Sequence, residues 1–330
     1  MIKFKVSFIL LMFLFALPAN IFPQAAGYKV TGKIIIGGGA GWDYLSIYKP
    51  ANLLFVSHKS EVDVISLENN QVVGKIEGLE GVHGIAVAGD FNKGYISDGH
   101  ANSIVVFDLK SFKTTAVIKS TGEDPDAIVY DPFTKRIFAF NGNSTTATAI
   151  DAAADSVIGT VELTGSPEFG VSDFKGRMYV NIEKKDAIDV INPETLKVID
   201  TWVIPPCKGT SAMAIDRAGN RLFIGARNKT FAAVNAETGK VIADFPIGPG
   251  VDACGYDPET GLIFCSNKDA TMSVIKQDSP DKYEFIGNIT TLPGAKTLTL
   301  DEHTHRVYTS TMITDKDGNK SFGVLIIDKQ

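Results

Sequence analysis

The chain has 330 residues, 44% of them hydrophobic, with 32 Lys and Arg set against 38 Asp and Glu for a formal net charge of −6. This acidic balance argues against nucleic-acid binding, which draws on clustered Lys and Arg, and the apolar content excludes a disordered chain. Three cysteines are too few for a disulfide framework.

Residues 1–26 stand apart. Lys3 and Lys5 precede an apolar run from Phe8 to Leu17, followed by Pro18 and a small-residue stretch ending Gln24-Ala25-Ala26. This is the layout of a cleaved secretory signal, and the apolar core is shorter than the ~20 residues a spanning helix needs. The expected mature protein, residues 27–330, is secreted or periplasmic, keeps no transmembrane anchor, and carries a net charge of −8 once Lys3 and Lys5 are gone.

From residue 28 onward the chain is a series of short apolar runs joined by turn residues. Asp126 to Asn141 shows the unit: AIVY and RIFAF flank DPFTK, whose Asp-Pro and small polar residues favour a tight turn, giving a β-hairpin. Taking the aromatic of the second strand as marker, copies fall at Phe55, Tyr95, Phe138, Tyr179, Phe223, Phe264 and Tyr308, spaced by 40, 43, 41, 44, 41 and 44 residues. A period of about 40–45 residues with four strands per unit predicts an all-β fold, a seven-bladed β-propeller of four-stranded antiparallel blades in one domain. The segment from Tyr28 to Gly37 has no hairpin partner of its own but resembles Gln71 to Gly78, an outermost strand, while the last repeat stops at its third strand. The N-terminal strand is therefore expected to close the final blade.

The repeats RIFAFNGNSTTATAIDAAADSVIGTV, RMYVNIEKKDAIDVINPETLKVIDTW and RLFIGARNKTFAAVNAETGKVIADF resemble YVTN repeats, with the marker tetrapeptide degenerate as MYVN or LFIG. The whole mature chain resembles the exported YncE-like seven-bladed propellers of bacteria. The resemblance implies the fold and no single reaction, since propellers of this kind share none.

In a four-stranded meander, the loop entering the inner strand and the loop between strands two and three emerge on the same face of the disc. The residue just before each inner strand is, in order, Asp43, His83, Asp126, Glu168, Ser211, Asp252 and Lys296, all polar. From the second-strand exits come His58, Asp98, Asn141, Glu183, Arg227 and Asn267. These are the candidate ligand-binding residues, expected to ring the channel mouth. The opposite face offers ordinary turn formers. Polar groups at a wet mouth can also be merely solvated or cap turns.

Three chemical readings fit the ring. An acidic arc with His83, opposed by Lys296 and helped by Trp42 or Phe169, suits a cationic or polyhydroxylated ligand. His83 with Asp126 and Glu168, or with its neighbour Asp43, suits a divalent metal. His83 as general base with Asp126 and Glu168 suits a metal-assisted lactonase, hydrolase or lyase, as the likeness to propeller lactonases and lyases allows. The leading reading is a binding module whose ligand is a small molecule, a cell-envelope component or a protein, with the chain expected to be a monomer. A scaffold using the outer blade surfaces would need no channel chemistry at all.

Other features carry less. Cys254 and Cys265 fall directly opposite in the sixth hairpin, as a bridge or as two buried thiols, and Cys207 is then a lone loop thiol. There is no CxxCH, HExxH, GxxxxGK[ST] or GxSxG motif. Gly37 to Gly41 is expected to let the closing strand cross to the axis. His100, His303 and His305 have no evident partners, and the last two are expected to be exposed on the opposite face.

Overall fold

A computed structural model describes residue 25 and residues 27–330. The expected signal segment, residues 1–26, lies outside the described residues apart from Ala25. Seven four-stranded antiparallel sheets follow one another around a ring. Blade one has strands a–d at Leu45–Tyr48, Leu53–His58, Glu61–Ser66 and Gln71–Ile76, and the pattern repeats through blade six, which ends at Pro293. Blade seven takes strands Leu298–Asp301, Arg306–Thr314 and Lys320–Lys329 from the C-terminal end and Tyr28–Ile35 from the N-terminal end. Among the described residues no helix is long and apolar enough to cross a membrane.

The seven marker aromatics of strand b are all buried, none more than 2% exposed. Each fills the seam between neighbouring sheets, where a large ring removes the most apolar surface from water. Two tyrosines also use their hydroxyls across the seam: Tyr95 donates to the Ala152 carbonyl at 2.9 Å and Tyr179 to the Ala236 carbonyl at 2.8 Å, each reaching the next blade. The turn registers come out as the hairpins require, with Asp131 opposite Arg136 and Asp257 opposite Leu262. Cys254 therefore faces Cys265, and the two are free, buried thiols in contact. Cys207 sits on a loop but is itself buried, and burial pushes its thiol up to about 12.

Closure joins the two ends of the chain. Tyr28 to Ile35 pairs antiparallel with Lys329 to Gly323, slipping by one residue between Val30 and Gly32. Beyond the strand, the amides of Ile36 and Gly37 donate to the Phe322 carbonyl at 3.0 and 3.1 Å. The chain then crosses toward the axis through Gly38 and Gly41, both in the left-handed region at φ 75° and 123°. A Cβ on Gly38 would come within 2.9 Å of the His58 ring, so only glycine fits there.

His58 locks this seam. Its Nε2 lies 3.0 Å from the Gly39 carbonyl, its Nδ1 3.0 Å from Asp63 Oδ2 and 3.5 Å from Glu61 Oε1, and its ring packs 4.3 Å from that of Phe322. Every partner is an acceptor, so both ring nitrogens must donate and the imidazole is held as a cation. The hydrogen bond from His58 to Asp63 raises its pKa above the usual 6.5, against a smaller opposing effect of burial. A raised native pKa means that the stabilisation is complete below the ordinary imidazole value and is lost as pH rises through the native one.

Two outcomes are expected. His58→Ala should cost about 3 kcal/mol, the low end for breaking a buried pair, because Lys75 Nζ, 3.3 Å from Asp63 Oδ1, keeps part of the compensation. In the unmodified chain, hydrogen exchange of residues 28–41 should speed up as pH rises above neutrality by more than the intrinsic exchange rate accounts for, and that excess should vanish in His58→Ala.

Candidate functional site

The inner strands of blades two to five begin earlier than the sequence suggests, at Val82, Pro125, Pro167 and Thr210. His83, Asp126, Glu168 and Ser211 thus lie inside them, not just before them. In each of these strands the pairing with strand b skips at that point, between Val82 and Ile85, Pro125 and Ile128, Pro167 and Gly170, and Thr210 and Ala212. Such an irregularity re-aims a side chain out of the alternating pattern, here toward the channel. In blades one, six and seven, Asp43, Asp252 and Lys296 do precede the strand.

Short hydroxyl side chains fix the backbone of these positions from the neighbouring blade. Thr297 donates to the Asp43 carbonyl at 2.7 Å, Ser266 donates to that of Lys296, and Ser97 donates to that of Asp126. Ser211 itself behaves this way, donating to the Val251 carbonyl at 3.0 Å, so it does not join the charged ring.

The other six do come together, with three further groups. His83 Nδ1 lies 2.8 Å from Asp43 Oδ2 and 3.6 Å from Asp126 Oδ1, and its Nε2 lies 3.7 Å from Asp124 Oδ1. Lys296 Nζ reaches Asp252 at 2.5 Å and Asp43 at 3.6 Å. Arg227 contacts Asp252 at 3.2 Å, Glu168 at 2.7 Å and Glu183 at 3.0 Å. The result is one connected chain of ion pairs in which six carboxylates, Asp43, Asp124, Asp126, Glu168, Glu183 and Asp252, share three cations.

Of the second-strand exits, only Glu183 and Arg227 take part. His58 belongs to the closure seam. Asp98 accepts from the Glu80 and Gly81 amides at 3.0 and 2.7 Å, holding the loop that leads into its own blade. Asn141 donates to Thr146 at 2.9 Å and accepts from Ser120 at 2.7 Å, and Asn267 donates to Thr271 and Ser273, both at 3.0 Å. These four are buried and turn their polar groups to their own blade and the loop that leads into it.

Two aromatic contacts complete the mouth. Tyr44 of blade one reaches across to Phe169 of blade four, ring centroids 5.2 Å apart, and burial, then the charges of Asp126, Asp43, Asp252 and Glu168, hold its phenol well above its usual pKa. Phe169 is thus engaged with Tyr44. Trp42 stacks on Phe322 at 5.6 Å and lines a cavity of about 290 Å³ together with Asp43, Lys59, Glu80, Val82, His83 and His100. His100 therefore has a place at the mouth. On the opposite face His303 is exposed, but His305 is half-buried and paired with Asp257 at 2.8 Å. Larger depressions of about 600 and 510 Å³ on blades five to seven have mixed charges, His305, Arg306, Asp328 and Lys329 in one and Asp216, Glu259, Lys276 and Asp278 in the other, and stand apart from the ring.

Protonation follows from the surplus of carboxylates. Burial works against the charge on His83, yet its hydrogen bond to Asp43 and the charges of Asp126, Asp43 and Asp124 prevail and raise it to about 9. Burial, then the Asp43 charge, raises Asp126 to about 7, and its Oδ1 is buried without a hydrogen bond. Burial, the shared hydrogen bond with Glu183 and the Asp126 charge raise Glu168 to about 8 despite Arg227. The ligand atoms of Asp43, His83 and Asp126 lie within 4.8 Å of one another, the spacing of a metal site. Glu168 falls outside that group because Arg227 holds it.

No family model matches the chain, and no curated protein sequence matches it. Solved structures do. The chain is similar to the WD40 repeats of RRP9 at 11% identity and a TM-score of 0.76, covering 94% of this chain and 100% of that one. It is similar to U3-55K at 11% identity and 0.74, covering 92% and 99%. It is also similar to hydrazine synthase of Kuenenia stuttgartiensis at 14% identity and 0.73, covering 86% and 95%. At such identities the likeness is one of fold, a seven-bladed propeller, and a fold does not fix a function.

A carboxyl whose native pKa is raised contributes stability below its ordinary pKa and loses it as pH rises through the native value. Glu168→Gln keeps a hydrogen-bonding side chain beside Arg227 without the charge. Its melting temperature should match the unmodified chain at pH 5 and exceed it at pH 9 by a few degrees, the equivalent of about 1 kcal/mol in a protein of this size after allowing for solvent at the mouth.

Proposed function

We propose that the chain is an exported YncE-like binding module that recognises a positively charged group of a small molecule, a cell-envelope component or a protein at the channel mouth. The observation that carries this reading is the convergence of residues from all seven blades into one ion-pair chain with six carboxylates to three cations. The surplus lies beside the Trp42 cavity, where Asp43, Asp124 and Asp126 gather on the His83 imidazolium and Glu80 adds a fourth carboxylate, with Lys296 reaching Asp43 from one side and Lys59 at the cavity wall. An ammonium or guanidinium group relieves that repulsion, and the indole offers an apolar wall.

The test compares benzylamine with benzyl alcohol and benzoate by calorimetry and thermal shift. Benzylamine should bind at least tenfold more tightly than either, and Asp43→Asn with Asp126→Asn should abolish the difference. Equal binding of amine and alcohol would overturn the reading.

The spacing of Asp43, His83 and Asp126 favours a second reading, a divalent cation held by one imidazole and two carboxylates. His83 must first give up the proton it shares with Asp43, so affinity for added Zn²⁺ should rise about tenfold per pH unit between about pH 7, above which Asp126 is ionised, and about 9. His83→Ala should remove the histidine's share of that rise and leave only the step that belongs to Asp126. The same proton bears on the hydrolase or lyase alternative: as an imidazolium, His83 is no general base below about pH 9, so activity resting on it would appear only in alkaline solution.

A further inference from the structure

Among the described residues, the only exposed aromatic side chains are Phe133 and Phe174, 50% and 40% exposed. They are neighbours. Each sits in the turn between strands a and b, in blades three and four, on the face opposite the charged ring. The corresponding Phe91 of blade two is half-buried against its own core, so the pair marks one place and not a habit of these turns. Phe133 lies beside the blade-four turn, its ring edge 3.5 Å from where a Cβ on Gly176 would stand.

The backbone under Phe174 is at φ 62°, a left-handed conformation that a bulky side chain disfavours and glycine or asparagine would fill more readily. The fold gains little from a ring that faces water there. Arg217 of blade five lies over that ring, Cζ 3.8 Å from its centroid, and its Nε donates to the Ser172 carbonyl at 3.0 Å. Lys175 Nζ donates to the Arg217 carbonyl at 3.2 Å, and Lys135 is exposed beside Phe133. The carboxylates of these turns are occupied inward: Asp131 by Thr134 and Ser172, Asp173 by the Lys175 and Arg177 amides, Asp216 by the Ala218 and Gly219 amides and Gln277. Lys135, Lys175 and Arg217 stand around the two rings, and the exposed Glu194 and Glu237 of the same face belong to the outer turns between strands c and d. Phenyl rings and arginine are also enriched in protein interfaces.

We propose that this half of the opposite face docks a short acidic segment of a protein partner, an apolar side chain seated between Phe133 and Phe174 and flanking carboxylates paired with Lys135, Lys175 and Arg217. Charge selects the occupant. The other half of the same face carries Asp90, Glu259 and Glu302, and the field of Glu302 reaches Arg217. An anionic bilayer would press against both halves and be repelled by one, whereas a segment of a few residues fits the cationic half alone.

The experiment measures fluorescence anisotropy of a labelled peptide Glu-Glu-Leu-Phe-Glu-Glu with the full chain, alongside Lys-Lys-Leu-Phe-Lys-Lys, Glu-Glu-Gly-Gly-Glu-Glu and phosphatidylglycerol vesicles. The acidic apolar peptide should bind at least fivefold more tightly than either control peptide and weaken with salt. Phe133→Ala, Phe174→Gly and Arg217→Gln should each weaken it at least fivefold. Phe174→Gly guards against a folding artefact, because glycine suits the left-handed backbone and its melting temperature should not fall. Binding of the acidic peptide no tighter than the lysine peptide, or unchanged in the three variants, would overturn the proposal. So would vesicle binding that depends on Phe133 and Phe174 in the absence of peptide binding.

Discussion

The pairing of Tyr28–Ile35 with Lys320–Lys329 is the constraint on which the rest of the molecule depends. Each blade touches its neighbours only along one seam, so a ring that opens anywhere lets all the blades drift. The charged mouth is the part most exposed to such drift, since its members come from all seven blades and their distances are set by the shut circle. The seam and the mouth also touch directly: Lys296 of blade seven reaches Asp43 of blade one, and Thr297 holds the Asp43 backbone. His58, a few residues from that junction, adds a cation where the closing segment arrives.

Within that frame the mouth works against its own fold. Carboxylates outnumber cations two to one, and close like charges in a half-buried site raise one another's pKa. The scaffold tolerates this because the side chains are aimed by backbone irregularities and inter-blade hydroxyl bonds, not by mutual attraction alone. A destabilised cluster held in place from behind is a common arrangement at binding sites, where stability is given up for recognition.

The blade count and the closing strand were legible because both follow from simple periodic signals: an aromatic every 40 to 44 residues, apolar runs of strand length and a lone strand lacking a partner. The ring was legible for the same reason, since equivalent positions in a repeat end up side by side around an axis. Individual roles were harder. His58, Asp98, Asn141 and Asn267 occupy equivalent positions to Glu183 and Arg227, yet their shorter side chains find acceptors or donors on the same blade or the adjoining loop before they can reach the axis. Asp124 escaped notice because it lies in the inter-blade loop two residues ahead of Asp126, with a left-handed backbone at φ 55°. Ser211 shares its register with His83 and Asp126 but carries a hydroxyl, which the nearest carbonyl takes. Phe133 and Phe174 were hidden inside segments, DPFTK and DFKG, whose other residues announce a turn and nothing more.

The contact between Tyr44 and Phe169 has a consequence for traffic. Rings from blades one and four meet across the disc, so a ligand held on the acidic side stands apart from an occupant of the far side. Two tenants could therefore lodge at once on this small protein without displacing one another.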